Sequence, residues 1–359
     1  MEGDVSWERR CLALSLSWEY LTGGELICLA GTSQLLRQLL RNCVKRLHMN
    51  LAQDQAGLSC VRVLFPTCGE LELVGNRTVL FSRLKQARQL SQQLHKLRIR
   101  LDDFCEADEL HMDGLALGAL IGGFSSSPSL VELQLENLGP FSPRGLATAL
   151  LPPEVTTISS LQVLFLDGCG TLLDLALQFV VLHSHSLVEL HVSSCASLKS
   201  LVLQSQSLRV VEVAKCFQLE SVNVELCSRI EQLLVPWTVN LAALPAFPVQ
   251  QLIKLSLQAG ASLPFVVIPS CFSLTWLDLS YCTTLEYIIL TECHALVHLA
   301  CEFSPKLHTI ELHHAHSLVK LNLSLLRKLR SVVVTEAWVL KKIHTQGCPD
   351  LEHPPVLRA

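Results

Sequence analysis

The stretch Leu274-Thr-Trp-Leu277-Asp-Leu279-Ser-Tyr-Cys282-Thr-Thr-Leu285 decides how this chain is read. It places Leu at the first, fourth and sixth positions and a cysteine at the ninth, and the frame starts again at Leu285. Laid outward, the frame L-x-x-L-x-L-x-x-C-x-x starts turns at Leu187, Leu198, Leu208, Leu219, Ile230, Leu241, Leu252 and Leu263. It then continues at Leu274, Leu285, Leu296, Leu307, Leu318, Leu329 and Leu340. Every interval is the same length except that between Leu198 and Leu208, which is shorter by a single position. Leu, Ile or Val fills 42 of the 45 apolar slots, the exceptions being Ala246, Cys301 and Thr345, so the period belongs to the fold and not to chance.

An 11-residue period also describes a supercoiled helix. On a helix, however, the three apolar positions fall at roughly 0°, 300° and 140°, which is no common face. The slots hold β-branched pairs such as Val211/Val213 and Val222/Val224, and the stretch carries Pro236, Pro245, Pro248, Pro264, Pro269 and Pro305. A short strand whose alternate residues point inward, followed by a tight turn, satisfies every slot. The spacing therefore predicts a parallel β-solenoid in which two turns make one 22-residue coil, strand-rich on both sides, with about eight coils spanning on the order of 40 Å.

The motif resembles the leucine-rich repeat, with Cys for the commoner Asn. Leu208-Arg-Val-Val211-Glu-Val213-Ala-Lys-Cys216 is a second close match. Upstream, Leu94-His-Lys-Leu97-Arg-Ile99, Leu130-Val-Glu-Leu133-Gln-Leu135 and Leu161-Gln-Val-Leu164-Phe-Leu166-Asp-Gly-Cys169 recur at longer and unequal intervals. The segments between them, such as Glu109 to Phe124, have the length and small apolar residues of helices, and Phe81 to Leu94 reads as another helix. The expected fold is thus α/β: a leucine-rich-repeat solenoid over 94–359, with helix-backed repeats first and short 22-residue (11+11) strand-rich repeats later. Residues 46–93 read as a connecting or capping region, with Val61 to Leu64 a strand.

Residues 1–45 break the pattern. Trp18-Glu-Tyr-Leu21-Thr-Gly-Gly-Glu25-Leu26-Ile-Cys-Leu29-Ala30-Gly-Thr-Ser33-Gln-Leu-Leu36-Arg37-Gln-Leu39 is helical in composition. Its spacing is similar to the second half of an F-box, a three-helix motif that docks on the Skp-type adaptor of a cullin ubiquitin ligase. The usual Leu-Pro and Glu-Leu pairs of the first half are absent, and Leu12, Leu14 and Leu16 stand in their place. By that resemblance Leu21, Leu26, Leu29 and Leu36 are adaptor-binding or core residues. The same segment also suits an amphipathic cap covering the apolar end of a solenoid. The two readings imply a substrate-recognition subunit of an SCF-type ligase, or a free-standing repeat scaffold or inhibitor.

Half of the chain is hydrophobic but only 6% is aromatic, so the core is aliphatic and a wholly disordered chain is excluded. With 28 basic and 32 acidic residues the formal charge is −4, no footprint for nucleic acid or an anionic membrane; the expected partner is a protein target. The apolar runs Leu115–Phe124 and Leu172–Leu182 are too short to span a bilayer, and no secretory leader precedes the helical segment, so a cytoplasmic or nuclear location is expected. There the 15 cysteines are free thiols.

Eight of those cysteines, Cys169, Cys195, Cys216, Cys227, Cys271, Cys282, Cys293 and Cys348, occupy the ninth position of their turns, where a small side chain bonds weakly to turn backbone. Their spacing reflects the coil, no C-x-x-C occurs, and no metal or cofactor is expected. Neither G-x-S-x-G, H-E-x-x-H nor a phosphate loop is present, so no catalytic residue is assigned and the chain is read as a non-enzyme. What the frame exposes is a surface. On one side of the coil Glu189, His191, Glu212, Lys254, Trp276, Asp278, His298, Lys320 and Lys342 point outward as the target-binding candidates, drifting from acidic to basic around a central aromatic.

Overall fold

The computed structural model describes residues 21–32, 34–50, 58–75, 93–101, 129–137, 160–169, 184–248, 250–260, 262–351 and 356–358, with isolated positions 172, 174 and 181. The chain divides into two compact units, Met1–Phe165 and Leu166–Ala359. Both are built from parallel strands that repeat along the chain, so the fold is a parallel β-solenoid.

The first unit opens with α1 (Gly23–Thr32) and α2 (Gln34–Cys43), followed by β1 (Arg46–Asn50), α3 (Ser59–Leu64), β2 (Glu70–Gly75), β3 (Lys96–Leu101) and β4 (Glu132–Glu136). Thr22 and Glu25 start α1 with a reciprocal capping box: the Thr22 N–H donates to Glu25 Oε2 at 2.8 Å and the Glu25 N–H donates to Thr22 Oγ1 at 3.3 Å. Gly23 lets the helix approach β1, since a Cβ there would lie 2.4 Å from Met49 Cγ. Leu26, Ala30 and Leu40 are buried, as are Leu47 and Met49 on the strand.

β1, β2, β3 and β4 pair in parallel, in that order. Two strands therefore precede Lys96, inside the segment read from sequence as connecting. Their signals are the short alternations Leu47-His-Met49 and Leu71-Glu-Leu73, which repeat at irregular distances and so escape a fixed frame. Val61–Leu64 is not a strand: it forms the last turn of α3, because Leu58, Val61 and Phe65 recur at helical spacing and are all buried. Glu109–Phe124 and nearly all of Phe81–Leu94, expected as helices, lie outside the described residues, as do Leu12, Leu14 and Leu16. No described helix is long and apolar enough to cross a membrane.

β5 (Val163–Asp167) spans the junction between the units in sequence. The second unit then alternates between two sides of a flat coil. One side carries β6 (Glu189–Ser193), β8 (Val210–Ala214), β10 (Gln232–Leu234), β11 (Lys254–Ser256), β13 (Trp276–Asp278), β15 (His298–Ala300), β17 (Lys320–Asn322) and β19 (Lys342–His344), in that spatial order. The other carries the pair β7 (Ser200–Ser205) and β9 (Ser221–Cys227). Beyond them come β12 (Phe265–Ile268), β14 (Tyr287–Leu290), β16 (Thr309–Leu312), β18 (Ser331–Thr335) and β20 (Val356–Arg358). Each register step joins a residue to its equivalent one full coil later, as in Lys254↔Trp276 and Trp276↔His298. The inward slots, among them Leu274, Leu277 and Leu279, are buried in the central coils, apart from the half-buried Leu244 and Ala246.

The two irregularities have local causes. The one short interval draws the β7–β9 pairing in by a position at Ser200↔Ser221, and a register shift between Val202 and Gln204 restores the full coil offset at Gln204↔Leu226. The second side breaks at 241–251, where Pro245 and Pro248 supply no N–H to a ladder. Ala246 still holds the stack there, its N–H donating to Val222 O at 2.9 Å and its carbonyl accepting from the Val224 N–H at 2.7 Å.

The turn itself repeats. The eighth position is left-handed in coil after coil: Ser194, Lys215, Trp237, Ala259, Tyr281, Phe303 and Leu325 on one corner, Ser270, Glu292, His314 and Glu336 on the other. Such φ values are unfavourable for side chains of this size. They persist because the eighth N–H is then aimed at the next coil, as in Trp237 to Gln258 O at 2.7 Å, Tyr281 to Glu302 O at 2.8 Å and Leu325 to Gln346 O at 2.8 Å. The ninth side chain turns inward behind it. Cys195, Cys216, Thr238, Cys282 and Ser304 stack there, all essentially inaccessible.

Candidate interaction surface

Parallel pairing without offset turns each outward position of the frame into a column. On the side formed by β6 to β19, the third-position column reads Glu189, Val210, Gln232, Lys254, Trp276, His298, Lys320, Lys342. Next to it the fifth-position column includes His191, Glu212, Asp278, Asn322 and His344. All nine residues expected from sequence on this surface thus share one sheet, six in one column and His191, Glu212 and Asp278 in the other.

The two ends of this sheet differ in electrostatics. At the acidic end the charges are consumed locally. His191 Nδ1 lies 2.9 Å from Glu212 Oε2 and its Nε2 3.4 Å from Glu189 Oε2, and Arg209 Nε donates to Glu231 Oε1 at 2.9 Å. At the other end Lys254, Lys320, Lys341 and Lys342 take part in no ion pair among the described residues. Trp276 is half-buried, with Lys254 Nζ 4.5 Å above its centroid. Asp278 accepts the Ser280 N–H at 2.9 Å and so serves its own turn.

The first unit supplies the contrast. Arg46, Glu70, Lys96 and Glu132 alternate in sign down one register column, and the end pairs close at 2.7 Å each. Arg98 bridges Glu136 at 2.6 Å and Glu72 at 3.6 Å. The Arg46 guanidinium holds the Glu70 carboxyl below the usual carboxylate range. This sheet face is neutralised by itself.

Two side-chain ladders were not anticipated from sequence. Trp237, Tyr281, Phe303 and Leu325 form an exposed edge at the eighth position, with the Tyr281 and Phe303 rings stacked at 4.9 Å and 6°. On the opposite corner Phe272, His294, His316 and Trp338 stack with centroids 5.9, 4.7 and 4.5 Å apart. Within that stack His294 Nδ1 and His316 Nδ1 lie 3.1 Å apart, and His316 Nε2 is 2.6 Å from Glu336 Oε2. The bond from His316 holds the Glu336 carboxyl low, assisted by the charge of His314. Both ladders are written in the sequence at the eighth and tenth positions of successive turns, outside the apolar slots and the outward strand positions.

The ninth-position thiols bond to backbone carbonyls. Cys282 Sγ donates to Leu257 O at 3.4 Å, Cys293 Sγ to His313 O at 3.1 Å and Cys348 Sγ to Leu323 O at 2.9 Å. Burial pushes the Cys68 and Cys227 thiols up to about 11 and Cys301 higher still. Among the described residues no group of three or more His, Cys, Asp or Glu is placed to hold a metal ion.

Of the adaptor-binding candidates, Leu26 faces the interior and is 2% exposed. Leu21 and Leu29 are half-buried, and Leu36 belongs to α2, with its side chain outside the description. No protein-family model matches the chain, and no curated protein matches it.

Proposed function

We propose that this protein is a non-enzymatic recognition subunit, with N-terminal helices that bind a Skp-type adaptor of a cullin ubiquitin ligase and a leucine-rich-repeat solenoid that binds the protein to be modified. The reading of the repeats rests on the L-x-x-L-x-L-x-x-C frame, on parallel strands along it, and on the helix-like composition of the segments between Leu94 and Leu161. One observation carries it furthest: a sheet of eight parallel strands in the second unit presents ordered columns of polar and charged side chains over an aliphatic interior. Such a surface suits recognition. The adaptor reading is supported by the helix pair α1–α2 with its capping box, on which Leu29 stays partly accessible beside exposed Cys28.

A second reading has its own observation. Leu26, Ala30 and Leu40 are spent on packing, which favours a plain cap on a repeat scaffold. The readings separate in a pull-down of the full chain with a purified Skp-type adaptor, comparing wild type with Leu29→Asp shown folded by circular dichroism. Leu26→Asp is unsuitable because it places a charge in the interior. Capture by wild type and loss in Leu29→Asp supports the ligase subunit; no capture by wild type leaves the scaffold.

A further inference from the structure

The sheet of the second unit has two unlike rails. Along one side run Lys254, Lys320 and Lys342 of the third-position column, with Trp276 and His298 between them. Along the other run Trp237, Tyr281, Phe303 and Leu325, between 38% and 49% exposed at the left-handed corner. Between the rails the fifth-position residues Ser256, Asp278, Ala300 and Asn322 are small, so the floor lies below both edges. The two acidic groups nearest the floor are engaged: Asp278 with the Ser280 N–H, and Glu302 with Asn322 Nδ2 at 2.7 Å. The lysines have no ion partner among the described residues, and Lys320 and Lys342 stand in register on adjacent strands, an arrangement that disfavours the bare protein.

We propose that this sheet is a track for an extended peptide lying along the solenoid axis from β11 to β19, acidic on the edge that meets the lysines and apolar on the edge that meets Tyr281 and Phe303. The proposal rests on the reading of the repeats as the part that binds the target. Four strand spacings of about 4.8 Å make the track about 19 Å long, which is about six residues of extended chain. Alternate side chains of such a peptide point to opposite edges, so one acidic and apolar alternation satisfies both rails. A single-stranded nucleic acid would also meet cations and rings, but it needs ring faces on which to stack its bases. Tyr281 and Phe303 already stack on each other at 4.9 Å, so each has given up one face, and the cationic rail contains no arginine.

The test is selection of a displayed random 12-residue peptide library on the full chain, with the Lys320→Glu/Lys342→Glu chain as the counter-target. Enriched peptides are then measured as labelled synthetic peptides by fluorescence anisotropy, beside a 12-nucleotide oligo-dT. The expected result is a consensus of Asp or Glu alternating with Leu or Phe. Its affinity should fall at least about tenfold in Lys320→Glu/Lys342→Glu and again in Phe303→Ser or Tyr281→Ser, and fall with added salt. The proposal is overturned by no enrichment over the counter-target, by affinity indifferent to charge reversal, or by tighter binding of oligo-dT. Adaptor capture is scored separately: peptide failure with capture intact removes the track alone, and lost capture with peptide binding intact removes the ligase reading alone.

Discussion

Gly260 stands against the backbone of Thr238, one coil away, so closely that a Cβ would fall 2.4 Å from Thr238 N and 2.8 Å from its carbonyl oxygen. The neighbouring atoms are main chain in a stacked coil and cannot rotate aside. Gly260→Ala is therefore expected to destabilise the protein by about 2–3 kcal/mol. Gly31→Ala is the control, since no atom lies within 4 Å of that Cβ in α1, and it should be neutral or stabilising by up to about 1 kcal/mol. Urea unfolding of both variants decides the matter; equal effects would mean that the close approach is not what selects glycine.

The left-handed corner predicts an inverted sign at the adjacent residue. Ala259 has φ 59° and its N–H donates to Ser280 O at 2.8 Å. Replacement by glycine removes the Cβ penalty while keeping that bond, so Ala259→Gly should stabilise by about 0.5–1 kcal/mol, and Ala259→Val should destabilise by more than that. Ala300→Gly, in β15, should instead lose roughly 0.5–1 kcal/mol. Thermal melts showing the same sign for both glycine variants would remove the strain argument.

Thiol reactivity follows burial. Cys28, Cys43 and Cys60 are exposed, whereas Cys68, Cys227 and Cys301 are buried with raised pKa values. Brief maleimide treatment of the native chain at pH 7.5, read by peptide mass mapping, should label the first three and spare the last three until denaturant is added. Labelling of Cys227 in the native chain at the rate of Cys28 would show that its coil opens freely.

The interior was legible in the sequence because a solenoid writes its core as a period. Leu274, Leu277, Leu279 and Cys282 recur in kind from turn to turn, and pairing without offset carries the same spacing into space. Columns such as Lys254, Trp276, His298 and Lys320 could therefore be placed before any coordinates. What the pattern did not carry was geometry that depends on single neighbours. Lys254 covering Trp276, the shift at Val202/Gln204 and the histidine stack at His294/His316 each depend on which residues happen to meet between coils. Val61–Leu64 was misread because a short apolar run suits a strand or a helix, and Leu58 and Phe65, outside that window, decide for the helix.

The ion-pair column of the first unit makes stability depend on pH in a stated window. Glu70 accepts from Arg46 Nε at 2.8 Å and from the same guanidinium at 2.7 Å, and its carboxyl is held below its ordinary value of 4.5 chiefly by that bond, which outweighs the opposing desolvation, with lesser help from the charges of Arg46, His95 and Lys96. A carboxyl lowered in the folded state contributes stability above its unfolded value, and loses it as pH falls through the folded one. Glu70→Gln should accordingly be less stable than wild type at pH 6, by no more than about 0.5–1 kcal/mol because the pair is largely exposed, and the difference should be smaller at pH 3. Adding 0.5 M NaCl at pH 6 should shrink it as well. Urea midpoints of the two chains at both pH values provide the measurement, and a difference that persists unchanged at pH 3 would assign the role of Glu70 to packing rather than charge.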